Sequence, residues 1–181
     1  KWWLQGKSVA EIAAERGADP VEVTMELACG WPGTGIYFSQ SEADVREFMQ
    51  RPWVATASDG GAIFKLLGRW VHPRLYGTFP RKIRRYVYEE ELISLAFALR
   101  SMTELPAEIF QIPERGRLAP GYYADVVSFH PERLRDVATF DHSGRNSEGV
   151  EYLVVNGVLS VDAGVYTRER GGRALRHAPK P

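Results

Sequence analysis

The side chains of this chain best suited to chemistry lie in one stretch, between Val54 and Arg81. Val54-Ala55-Thr56-Ala57 is a short apolar run of the kind that forms a strand buried on both faces, and it breaks at Ser58-Asp59-Gly60-Gly61. The glycines permit a sharp turn and leave the Asp59 carboxylate at the carboxyl end of the expected strand. In parallel α/β folds the loops that carry catalytic groups converge at that end. About thirteen residues further on come His72-Pro73-Arg74 and Tyr76-Gly77-Thr78-Phe79-Pro80-Arg81, in a connection too long for a simple turn. One carboxylate, one imidazole and one guanidinium therefore share a single strand-to-helix segment, the set of titratable and charged groups expected of an active site. Each also has a plain structural reading: Asp59 as turn former or helix cap, His72 as a loop histidine, Arg74 as a surface charge. Residue types alone leave both readings open.

The elements that must position these groups read as a repeating α/β unit. Ser8 to Arg16 is a helix with a Ser8/Glu11 capping box, an apolar face of Val9, Ile12 and Ala13, and Gly17 as its stop. Asp19-Pro20 starts a second helix by cap and first-turn chemistry, although Val21, Val23, Met25 and Leu27 alternate with polar residues as a strand would. A turn over Gly30 to Gly35 leads to a strand at Ile36-Tyr37-Phe38. A third helix, Ser41 to Met49, carries a Ser41/Asp44 capping pattern and a stripe of Val45, Phe48 and Met49. Beyond the candidate segment, Pro80 opens a helix with Ile83, Tyr86 and Val87 inward and Arg81, Lys82, Arg84 and Arg85 outward. The outer basic cluster reads as a solvated face, given Glu89-Glu90-Glu91 beside it. Helices follow at Ser94 to Met102 and from Pro106 to Phe110.

At Pro113 the helical period ends. Arg115 to Gly121 is a turn-bearing link, Ala124 to Phe129 a strand, and Glu151 to Ser160 a hairpin around Asn156-Gly157, a strong two-residue turn signal. Residues 113–165 thus read as a small β-rich appendage, and Thr167 to Pro181 as an irregular, arginine-rich tail.

Composition bounds the function. Lys plus Arg equals Asp plus Glu at 23 each, so no net field favours nucleic acid or an anionic membrane. No run of eighteen apolar residues marks a transmembrane helix. The single cysteine, Cys29, excludes an internal disulfide framework, fits the cytoplasm, and is expected as a small buried hydrophobe on a helix.

Taken together, Ser58-Asp59-Gly60, His72-Pro73-Arg74-Leu75-Tyr76-Gly77-Thr78-Phe79-Pro80-Arg81, Ser101-Met102-Thr103, Leu105-Pro106-Ala107, Arg115-Gly116, Pro120-Gly121, Tyr123-Ala124-Asp125-Val126-Val127, Val154-Val155-Asn156-Gly157 and Gly172-Arg173 resemble the carboxyl-terminal part of N-acyl-D-amino-acid deacylases (D-aminoacylases), in the amidohydrolase superfamily. The Ala-Asp-Val strand points only to the superfamily, whereas the run from His72 to Arg81 is more specific. The resemblance implies a distorted (β/α)8 barrel followed by a small β-sandwich subdomain. Residues 1–112 would be the carboxyl-terminal portion of the barrel, 113–165 part of the sandwich and 166–181 a tail. It implies that Asp59 is general base and acid on a zinc-bound water, that Arg74 pairs with the substrate α-carboxylate, and that His72 belongs to the same substrate-binding motif. The substrate would be a small N-acyl-D-amino acid, with no nucleic-acid or membrane partner.

Two small departures are His130-Pro131, where Asp-Pro is expected, and Arg168, where a glycine is usual. A larger one concerns the metal. The histidines are His72, His130, His142 and His177, none in a His-X-His arrangement, and Cys29 does not match the family's ligand cysteine. The zinc ligands are therefore expected in an N-terminal part of the same barrel missing from this chain, and the chain alone is expected to be inactive. The competing expectation is a non-catalytic α/β module, or a degenerate paralogue without metal.

Overall fold

A computed structural model describes residues 4, 6–30, 35–61 and 71–175. They fall into two compact units, Lys1–Ser39 and Gln40–Pro181.

In the first unit the local capping chemistry is as the sequence predicts. Helix α1 (Val9–Arg16) has the reciprocal Ser8/Glu11 capping box and ends at Gly17 in the left-handed conformation, φ 62°. Helix α2 (Pro20–Gly30) is held at its start by Asp19, whose Oδ1 accepts from Val21 N at 2.8 Å and Glu22 N at 3.2 Å. The cap therefore decides over the alternating pattern: Val23 is buried with Ile12 and Ala13, and Val21 and Met25 stay exposed. Two expectations fail here. Ile36-Tyr37-Phe38 is exposed chain and forms no strand among the described residues. Cys29 lies on α2 but is exposed, on the face turned from that core. The turn expected over Gly30 to Gly35 falls mostly outside the described residues.

The second unit opens with α3 (Glu42–Met49), capped by Ser41. None of its residues is fully buried: of the expected apolar stripe Val45 and Met49 are half-buried and Phe48 is exposed. Among the described residues Val54-Ala55-Thr56-Ala57 forms no strand: its backbone bonds run singly, from Val54 N to Arg51 O and from Thr56 N to Ser101 O, with no ladder. Helix α4 (Arg74–Arg81) begins directly after Pro73, six residues earlier than Pro80 suggests, and Pro80 lies inside it. Pro80 has no N–H to offer the carbonyl of Tyr76 one turn back, and the Ser147 hydroxyl donates to that carbonyl instead. A π-helical stretch (Lys82–Glu89) continues α4, and α5 (Leu95–Met102, capped by Ser94) and α6 (Glu104–Ile109) follow. Ile83, Tyr86, Ala98, Leu105 and Ala107 are the buried apolar residues of these helices.

The β-rich region is a four-stranded antiparallel meander in the order β1-β2-β3-β4. Its strands are β1 (Val126–Phe129), β2 (Val150–Val155), β3 (Val158–Asp162) and β4 (Val165–Tyr166). Asn156 and Gly157 take φ 50° and 81°, the pair of positive angles a tight two-residue hairpin requires. The Asp125 carboxylate binds Arg115 through Oδ2 and accepts from Asn156 N at 2.8 Å through Oδ1. The preceding link is thereby tied to both β1 and the hairpin. Among the described residues no helix is long and apolar enough to cross a membrane.

Candidate active site

The extended segment 54–61 carries Asp59, and its path is set by three constraints. Thr56 N donates to Ser101 O at 2.8 Å, anchoring the segment to the end of α5. Gly60 N donates to Ser58 Oγ at 3.3 Å, closing a tight turn around Asp59. At Gly60 an added Cβ would stand 3.0 Å from Leu75 Cγ and 3.3 Å from Leu75 Cα, so glycine lets the segment lie this close to α4 without displacing Leu75. Asp59 itself has φ 47°, a conformation that aspartate tolerates better than most residues.

That close approach brings the predicted residues together. Asp59 Oδ2 lies 2.9 Å from Arg74 Nη2, in the first turn of α4. The pair is open to solvent, with 85% of the Asp59 side chain and 42% of the Arg74 side chain exposed. His72 turns its Nδ1 to the start of α4, where it accepts from Arg74 N at 3.1 Å. Its ring meets Phe140 edge-to-face, centroids 5.3 Å apart at 82°. Burial lowers the His72 pKa first and the Arg74 guanidinium lowers it further, against the opposing pull of Asp59. A neutral imidazole with Nδ1 as acceptor carries its proton on Nε2, so His72 caps the helix and can still donate from its other edge. His72 thus combines the structural reading of a satisfied loop histidine with a place beside Asp59 and Arg74.

One nearby group departs from the sequence reading. Lys82, expected on the solvated outer face, is 5% exposed. Its Nζ donates to Thr56 Oγ1 at 2.7 Å and Ser101 Oγ at 2.8 Å. Burial holds its pKa down at about 8. A signal was available: Lys82 stands four residues before the inward Tyr86, on the same helical face. The other three members of the cluster are outward and ion-paired, Arg81 with Asp136, Arg84 with Glu89, and Arg85 with Glu90 and Glu42. The contact between His72 and Phe140 has no counterpart in any sequence pattern.

An amidohydrolase family model matches residues 3–161. The chain belongs to the amidohydrolase family. It is 41% identical over 171 residues to the N-acyl-D-glutamate deacylase of Alcaligenes xylosoxydans xylosoxydans, covering 94% of this chain and 33% of that protein. A D-aminoacylase structure described for its binuclear metal centre superposes with TM-score 0.78 at 37% identity, over 91% of this chain and 33% of the other. An N-acyl-D-glutamate deacylase from Bordetella bronchiseptica, complexed with zinc and a phosphonate mimic of the tetrahedral intermediate, gives TM-score 0.75 at 40% identity, over 85% of this chain and 31% of the other. This amidohydrolase chain therefore shares a mixed helix-and-sheet fold with the D-aminoacylases and spans about a third of the length of its relatives.

Among the described residues no three His, Cys, Asp or Glu side chains gather to hold an ion. Asp59, the one carboxylate at the candidate site, is already engaged by a guanidinium.

Proposed function

We propose that this chain is the carboxyl-terminal part of a zinc-dependent amidohydrolase that cleaves the acyl amide bond of N-acyl-D-amino acids. Residues 1–112 would complete the distorted (β/α)8 barrel, 113–165 would contribute to the β-sandwich subdomain, and 166–181 would form a tail. The observation that carries the reading is the solvent-open pairing of Asp59 with Arg74, two residues the sequence singled out independently. An exposed ion pair is worth at most about 1 kcal/mol, so an incoming carboxylate can take Arg74 from Asp59 at little cost. Arg74 would then hold the substrate α-carboxylate through a planar two-point pair. Asp59, released from the pair, would accept a proton from the attacking water and return it to the departing amine. His72, with Nε2–H as its free donor, would line the same subsite. Zinc, when bound, supplies Lewis acidity to such a reaction; its holders would lie outside the described residues. The single cysteine of the sequence supports a reducing, cytoplasmic setting.

The test is an assay of the full-length protein on N-acetyl derivatives of D- and L-glutamate, D-aspartate and D-leucine, with and without a chelator. Chelator-sensitive release of free D-amino acid is expected, and the 181-residue chain alone is expected to be inactive in the same assay. A well-folded full-length protein that releases no amino acid from any of them would overturn the deacylase reading in favour of a non-catalytic module.

A further inference from the structure

The feature that the deacylase reading does not use is the buried ammonium group of Lys82. Burying a charge is unfavourable unless it is paired, and such charges usually meet a counter-ion. Lys82 has none among the described residues: its partners are two hydroxyls, and burial is the sole cause of its perturbed proton affinity. Those hydroxyls belong to different parts of the fold. Thr56 lies on the extended segment three residues before Asp59, and Ser101 lies near the end of α5. The three groups form a closed triangle, because Thr56 Oγ1 and Ser101 Oγ are themselves 3.2 Å apart. Its hydrogen bonds run in one consistent direction. Ser101 Oγ donates to Ala98 O at 2.7 Å, leaving its lone pairs for Lys82 and Thr56. The main chain closes the same junction through Thr56 N and Ser101 O, at 2.8 Å.

Among the described residues this junction ties segment 54–57 both to α5 and to the start of the π-helical stretch. We propose that Lys82 is a positioning residue: its ammonium, bridging Thr56 and Ser101, fixes the height and register of the segment that presents Asp59 to Arg74. Lys82 opens the π-helical stretch and points inward, while Arg81 and Arg84 on either side pair outward. The catalytic part of this inference rests on the deacylase reading; the clamp itself does not.

The experiment uses the full-length protein and two variants, Lys82→Met, which keeps the length of the side chain without its charge, and Thr56→Val, which removes the acceptor. Amide hydrogen exchange is measured on peptides covering 54–60 and, as an internal control, 95–102. Exchange over 54–60 is expected to accelerate at least ~10-fold in either variant, with little change over 95–102. The double variant should be no looser than either single one, because both remove the same bridge. In the deacylase assay kcat is expected to fall about 10–100-fold, with KM within about 2-fold, as for a misplaced catalytic group whose substrate clamp is intact. If Lys82→Met fails to fold, Thr56→Val decides alone. Unchanged exchange over 54–60 would overturn the clamp, and a loosened segment with unchanged kcat would overturn its positioning role. A full-length protein that hydrolyses no N-acyl-D-amino acid would sink the deacylase reading alone, with exchange still deciding the clamp.

Discussion

Two charged groups meet the same short segment of this amidohydrolase chain under opposite conditions. At Asp59 the segment offers a carboxylate to Arg74 in an ion pair that water reaches freely. At Thr56, three residues earlier, it meets an ammonium that is almost wholly buried and, among the described residues, bound by two hydroxyls. The exposed pair is easily exchanged, and this suits groups that must release one another when a substrate arrives. The buried lysine cannot exchange partners without leaving a polar group unsatisfied, and this suits a group that holds backbone in place. A charge at this site is therefore expected to act on substrate where solvent screens it and on structure where solvent is excluded.

The sharpest way to break the comparison is at Asp59. In the full-length protein Asp59→Asn is expected to lower turnover by ~100-fold or more, up to ~10⁴, with zinc content unchanged by metal analysis. Near-normal turnover would remove the chemical half of the contrast, and loss of metal would recast Asp59 as a ligand.

The buried half is tested by pH. Folded Lys82 gives up its proton at about 8, against 10.5 for the ordinary side chain. Between those values the unfolded chain binds more protons, so the contribution of Lys82 to stability rises with pH and is complete only above 10.5. The gain across the window is roughly 3 kcal/mol. It should disappear in Lys82→Met when urea unfolding is compared at both ends, and parallel curves for the two proteins would show that the lysine is not buried as described.

A third measurement returns to the exposed pair. Arg74→Lys keeps the charge but loses the two-point geometry, so an N-acyl-D-amino acid should bind more weakly by ~1.5–3 kcal/mol. An N-acyl amine without the carboxylate should bind equally to both proteins; equal losses would make Arg74 structural. The smallest effect is expected for stability at the same place. Asp59→Asn, which tolerates the same left-handed backbone, should shift the unfolding free energy by no more than about 1 kcal/mol, because the pair is solvent-screened. A much larger loss in denaturant melts would mean that the exposed pair also carries the fold.

How much of this could be read in advance varies with the range of the interaction. The Ser8 capping box, the Asp19 cap, the Gly17 stop and the Asn156-Gly157 hairpin were legible, because each is settled within a few residues of chain. Asp59, His72 and Arg74 were legible as a set because they share one segment, although the residues between 62 and 70 lie outside the described structure. The segments 36–38 and 54–57 show no strand among the described residues, since a strand exists only where another offers it a ladder and none of the described residues does so there. Pro80 misled for a related reason: its missing hydrogen bond is made good by Ser147, a partner 67 residues further along the chain.

By itself the sequence determined the capped helices and the Asn156-Gly157 hairpin, singled out the three groups of the candidate site, and pointed to the family. Only the tertiary structure decided that Gly60 passes close enough to Leu75 for Asp59 to reach Arg74, that His72 caps α4 and packs on Phe140, and that Lys82 turns inward to Thr56 and Ser101. The physical reason is common to all of these. Capping and turn chemistry depend on neighbours that the chain cannot avoid, whereas burial and long-range hydrogen bonds depend on which distant groups folding brings within about 3 Å.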